Sequence, residues 1–151
     1  MGTEKVVNAK SVDVKSTDLQ TVGQLEREIS QKIQALYKKA LGHQTGRVTC
    51  QLFDRKIAVI LEDSITQPVQ LLVQEGQLEL AEKVRTDLNA AIQPQIKNLV
   101  AQILNVSVLD VLSDTTLETG RTGLILVLAH TPEVRNPEAI PKLKKAASPK
   151  D

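Results

Sequence analysis

The stretch from Gln77 to Asn105 carries the strongest pattern in the chain. Leu78, Ala81, Val84, Leu88, Ala91, Ile92, Ile96, Leu99, Val100 and Ile103 recur at steps of three and four residues. That spacing places them on one side of a helix. Glu79, Glu82, Lys83, Arg85, Asp87, Asn89 and Lys97 lie between them and form the expected solvated side. Asn105 can adopt the left-handed conformation that closes a helix. Pro94 interrupts the stretch, but the apolar stripe continues in phase across it, so a kink is expected rather than a stop. A helix of about 28 residues is ~42 Å long, whereas an eight-residue strand is only ~26 Å. The helix is therefore expected to overhang one small sheet unless it bends or meets a second subunit.

The remaining pattern divides into short elements. Residues 1–17 are polar with scattered valines and are expected to be disordered. Thr21 and Gln24 have capping-box spacing ahead of an amphipathic helix through Val22, Leu25, Ile29, Ile33, Leu36, Tyr37 and Ala40. Gly42 follows as its C-cap. Val48, Cys50 and Leu52 alternate with Arg47, Thr49 and Gln51, which predicts a half-exposed strand. Asp54-Arg55 is a tight turn, and Lys56–Glu62 is apolar on both alternations, as in a strand covered on both faces. A short helix is expected from Thr66 through Pro68 to Gly76. Beyond the long helix, Val106–Leu112 predicts a third strand, Ser113–Arg121 a polar connection, and Leu124–Ala129 a second doubly apolar strand.

The order is αββααββ, an α+β fold. Four strands in a mainly antiparallel sheet are expected, and the doubly apolar ones belong in its middle. With the strands lettered along the chain, the spatial order is A-B-D-C. Residues 18–129 form the single domain. From His130 onward four prolines and five lysine or arginine residues predict a flexible tail over 130–151.

Composition narrows the function classes. Tyr37 and Phe53 are the only aromatics, so stacking platforms for bases are nearly absent. The formal net charge of +1 creates no global field toward nucleic acid or an anionic membrane. Cys50 is the only cysteine, which agrees with a reducing compartment. No run of ~18 apolar residues exists, and the N-terminus lacks the apolar core of a signal peptide. A cytoplasmic location is expected.

Candidate chemistry is sparse. The stretch Ser113-Asp114-Thr115-Thr116-Leu117-Glu118-Thr119-Gly120 is the most distinctive polar element. Its residue types favour a hairpin connection whose side chains bond the local backbone. It could instead offer Ser113 as a nucleophile, or Asp110, Asp114 and Glu118 to a divalent metal, although the spacing is not that of an EF-hand. Asp110, inside a strand, either turns to water or pairs with Arg121 or Arg85. His43 and His130 have no metal-ligand spacing. A Cys50–His thiolate pair is conceivable, but Cys50 falls on the apolar alternation of its strand and reads as structural. No phosphate-binding glycine loop is present, and no cofactor is implied. Lys142, Lys144, Lys145 and Lys150 form a mild basic patch that could contact nucleic acid or anionic lipid weakly.

The order of signals resembles the MpsC-like family of small bacterial proteins, named for a sodium-translocating, membrane-potential-generating system. The matching features are Arg47-Val48 entering the first strand, Asp54 in the turn, Ile65-Thr66 opening the helices, then Gly76, Arg85 and Pro94. Ser113-Asp114 with Thr119-Gly120, then Leu126-Val127-Leu128, complete the resemblance, which spans Val22 to Ala129. Gly42–Gly46 departs from the Gly- and Pro-containing loop expected there. The resemblance implies an accessory cytoplasmic protein near a membrane ion or bicarbonate uptake system. It carries over no catalytic residues.

Two function classes follow. One is a non-enzymatic binding or adaptor domain, with Asp54, Arg85, Ser113, Asp114, Thr119 and Gly120 as its interaction surface. The other is a metal-dependent enzyme using Asp110, Asp114 and Glu118. The excess of apolar strand surface over available helices further suggests a homodimer.

Overall fold

The computed structural model describes residues 18–142. The elements run α1 (Val22–Leu41), β1 (Val48–Phe53), β2 (Lys56–Leu61), α2 (Gln67–Gln74), α3 (Leu78–Leu104), β3 (Val108–Thr116) and β4 (Arg121–Leu128). A short 3-10 turn, Pro137–Ala139, follows. The four strands form one antiparallel sheet in the order β1-β2-β4-β3, as the double apolarity of β2 and β4 predicts. Among the described residues no helix is long and apolar enough to cross a membrane.

Local chemistry explains the helix ends. Thr21 Oγ1 accepts from Gln24 N–H, and Gln24 Oε1 accepts from Thr21 N–H, so the capping box is complete. Gly42, at φ +65°, ends α1 by donating its N–H to Lys38 O. α3 runs without interruption through Pro94 to Asn105, whose φ of +54° is the left-handed cap.

Both long helices lie on the same face of the sheet. Leu25, Ile29 and Ile33 of α1 and Ile92, Ile96 and Val100 of α3 share a core with Ile57, Val59, Leu124 and Leu126. α1 sits over β1 and α3 over β3. The N-terminal part of α3 is covered by α2, where Ile65, Val69 and Ala81 form a second small core. The short helix of the same chain therefore resolves the overhang, with no need of a second subunit there. Glu26 on α1 accepts from the Leu52 N–H at 2.8 Å, which satisfies a donor on the sheet's edge strand.

Two boundaries differ from expectation. The expected polar connection Ser113–Arg121 is largely strand: Ser113, Asp114, Thr115 and Thr116 pair with Leu124, Gly123, Thr122 and Arg121. Threonine suits a pleated strand, and a polar edge needs no apolar run. The true hairpin is the four residues Leu117–Gly120, closed by Gly120 at φ +76° with its N–H on Thr116 O. The segment expected as a flexible tail from His130 instead packs on the domain as far as Lys142. Val134 and Ile140 are buried in the core. Arg135 N–H donates to Gln20 O, Asn136 Oδ1 accepts from Val22 N–H, and Asp54 N–H donates to Pro141 O. Prolines lower the entropy lost on ordering such a segment, and two isolated apolar anchors show no periodicity to read. Residues 143–151, with Lys144, Lys145 and Lys150, lie outside the described residues, as does the expected disordered segment 1–17.

A candidate interaction site at the hairpin end of the sheet

Arg85, Asn89 and Gln93 are four residues apart, so they form one stripe along α3. This stripe lies beside the apolar one and meets β3. Arg85 Nη1 donates to Asp114 Oδ1 at 2.9 Å, Asn89 Nδ2 to Thr115 Oγ1 at 2.9 Å, and Gln93 Nε2 to Ser113 Oγ at 2.9 Å. Arg85 also donates from Nε to Glu82 at 2.7 Å. Arg85 and Asn89, expected on the solvated side, are thus turned to the sheet.

The contacts of Arg85 set its electrostatics. Its partial burial pulls the guanidinium pKa down, but hydrogen bonds to Glu82 and Asp114 outweigh this and hold it above the ordinary value. The Thr115 backbone N–H, then Arg85, hold the Asp114 carboxyl below the usual carboxylate range. The Asp114 side chain remains 83% exposed. A fixed carboxylate is therefore presented to solvent beside the hairpin.

Behind it lies a buried chain of hydroxyls. Thr115 Oγ1 and Thr122 Oγ1 are 2.7 Å apart, and Thr122 Oγ1 and Ser64 Oγ are 2.8 Å apart. Ser64 Oγ donates to Gly120 O at 2.9 Å. One end is the Asn89 amide donor and the other a carbonyl acceptor. The hydrogens can then run only one way: Asn89 to Thr115, Thr115 to Thr122, Thr122 to Ser64, Ser64 to Gly120 O. Each hydroxyl donates once, so the buried chain is satisfied. The cavity beside it, lined in part by Tyr37, Thr66 and Arg85, has a volume of about 20 Å³. That is space for little more than one water.

The structure joins Arg85 to Asp114; Ser113 bonds Gln93 of the same helix, and Thr119 and Gly120 lie in the hairpin that follows β3, with the Thr119 hydroxyl bonded to that of Thr116. It does not bring Asp54 to them. Asp54 sits in the β1–β2 turn at φ +52°, 3.7 Å from Lys56 Nζ. The row Phe53–Lys56–Val127–Asp110 ends the sheet opposite the row containing Asp114.

The alternative chemistries find no geometry. Asp110 and Asp114 are four residues apart on one strand, ~13 Å by the strand rise. They cannot share one metal with Glu118, and among the described residues no group of three His, Cys, Asp or Glu could hold an ion. Asp110 is exposed and has moved away from Arg85, which takes Asp114 instead, while Arg121 bonds Glu62 at 2.7 Å. Ser113 faces an amide rather than a base, and His43 Nε2 and His130 Nδ1 contact the carbonyls of Asp63 and Thr131. Cys50 is half-buried against the core, where burial and then Glu26 push its thiol up to about 12, far from a neutral-pH nucleophile.

Sequence reasoning missed Asn89, Gln93, Ser64 and Thr122, and named Thr115 only as part of the polar stretch. The four-residue spacing of Arg85, Asn89 and Gln93 was the available signal for the first two. The hydroxyl chain had none, because its members come from three separate segments.

Residues 21–130 match the MpsC family, described as a Na+-translocating membrane potential-generating system. The match covers more than half of the sequence, and the chain belongs to this family. No curated protein and no solved structure matches it.

Proposed function

We propose that this MpsC-family chain is a non-enzymatic adaptor domain, an accessory protein of a membrane ion or bicarbonate uptake system, acting as a homodimer. The observation that carries the adaptor role is the anchored Asp114. Its carboxylate is exposed, yet Arg85 and the Thr115 N–H fix its position. A charge held still and left in water is suited to recognising a cationic or hydrogen-bonding partner, because little freedom is lost on binding. The partner surface is Asp114 with Arg85 and the tip Thr119-Gly120, with Ser113 and Gln93 supporting it from behind. The family's printed description supports a membrane system as the setting. With no span among its described helices, the chain would reach such a system through a membrane partner.

The test is affinity purification of the tagged protein from detergent-solubilised membranes, followed by mass spectrometry. A polytopic transport subunit should co-purify and be lost from Arg85→Ala/Asp114→Ala. Retention of the same subunit by the double variant, or recovery of no membrane protein at all, overturns the assignment.

A further inference from the structure

We infer that the uncovered face of the sheet is the surface on which a second copy of this chain docks, about a two-fold axis parallel to the strands. This deepens the homodimer reading by assigning its surface and orientation. The apolar stripe of α3 through Ile92, Ile96 and Val100 cannot serve, since it is already buried in the chain's own core; only Leu78 and Leu80 at the start of α3 are exposed large apolar residues on that helix. Among the described residues nothing packs on the outward face. Its register forms three rows: Thr49–Ile60–Gly123–Asp114, Gln51–Ala58–Ile125–Leu112, and Phe53–Lys56–Val127–Asp110. Ile60 is 41% exposed and Leu112 57%; the opposite alternation is fully buried on β2 and partly buried at Val111 and Ser113 of β3.

The rows complement one another in only one of the two simple orientations. An axis parallel to the strands sets β2 of one copy over β4 of the other and keeps each row level. Ile125 then meets Ala58, so bulk faces space there, while Gly123 is overlain by the Ile60 of its own copy. Lys56 lies over Val127 of the other copy, next to its exposed Asp110, so charges of opposite sign adjoin. An axis across the strands inverts the rows instead. It sets Lys56 on Ile60, Ala58 on Ala58 and Ile125 on Ile125, which places a charge on an apolar side chain and leaves both a gap and a clash. Aligned face packing of two sheets is a normal geometry, and the twofold closes the assembly. Four strands of about six residues span roughly 20 Å by 19 Å. That is about half of the ~800 Å² per partner of a standard interface, which suits a reversible dimer rather than a permanent one.

Light scattering on the full chain between about 5 and about 200 µM tests this. The expected result is a mass rising toward twice that of the monomer. Ile60→Asp and Leu112→Asp should each weaken association at least about tenfold while leaving the thermal midpoint of the monomer in place. Lys56→Glu should weaken it too, and adding Asp110→Lys should restore it. A monomer at the highest concentration, or dimers unchanged by both aspartate variants, overturns the proposal. Failure of the charge exchange to restore association overturns the axis. A monomer that sediments with phosphatidylglycerol vesicles through Ile60 would assign the face to lipid, against the proposal. Asp114 ends the row through Ile60 and Gly123, so the Arg85→Ala/Asp114→Ala variant is weighed by light scattering as well; recovery of no membrane partner by the parent chain with dimerisation intact would sink the accessory role alone.

Discussion

Replacing Thr122 by valine removes one hydroxyl from the middle of the buried chain and leaves the shape of the side chain nearly unchanged. Thr122 is 2% exposed, so bulk water does not reach the lost group. The direction of the chain determines what is left. Ser64 keeps its own donation to Gly120 O and loses only an incoming bond. Thr115 still accepts from Asn89, but its hydrogen has no acceptor. One buried orphan donor costs about 1–3 kcal/mol. At roughly 2–4 °C per kcal/mol for a chain of this size, the melting midpoint should fall by about 2–12 °C in calorimetry. Thr115→Val/Thr122→Val removes the orphan with its partner. Asn89 is half-buried and can turn to water, so the double variant should be less destabilised than the sum of the singles by about 1 kcal/mol. Thr66→Val is the control. Thr66 Oγ1 is buried without a hydrogen-bond partner and caps no backbone N–H, so its removal should leave stability unchanged or raise it. A midpoint for Thr122→Val within about 1 °C of the parent, or additive singles, would show that the chain of hydroxyls contributes nothing and would refute the assigned direction.

Two further outcomes are expected. Tyr37 is the only tyrosine, and its burial pushes the phenol up to about 12, so 295 nm absorbance should stay flat through the ordinary range near 10 and rise only toward pH 12. The unfolded chain loses this proton first, so the Tyr37 contribution to stability is fully present below pH ~10 and declines as pH rises toward 12; tyrosinate appearing near pH 10 in folded protein would contradict its burial. Ile96, fully buried between α1, α3 and the sheet, should lose about 2–5 kcal/mol on Ile96→Ala in urea unfolding, with the dimer mass unaltered at concentrations where the variant is folded.

How much of this was legible in the sequence depended on whether the signal was periodic. The α1 caps, the Gly42 and Asn105 stops and the continuation of α3 past Pro94 are local, because they depend on neighbours within four residues. The double apolarity of β2 and β4 also fixed the middle of the sheet in advance. The same double apolarity did not say which face the helices would take. In the fold α1 and α3 lie side by side on one face, and the second core around Ile65, Val69 and Ala81 holds α2 against the start of α3. Asp54, Arg85 and Asp114 are all features of the family resemblance, but strand register sets Asp54 at the other end of the sheet. The segment around Val134 and Ile140 reads as tail because two anchors among prolines make no pattern, yet both are buried in the core beside hydrogen bonds to Gln20, Val22 and Asp54. Ser64, Thr115 and Thr122 look like ordinary surface residues in sequence. Only the meeting of the β2–α2 loop, β3 and β4 puts their hydroxyls within 3 Å of one another and out of reach of water. Sequence by itself determined what each segment prefers. Tertiary structure decided which preferences meet, because burial and hydrogen bonding between distant segments are properties of the packed chain and of no local window.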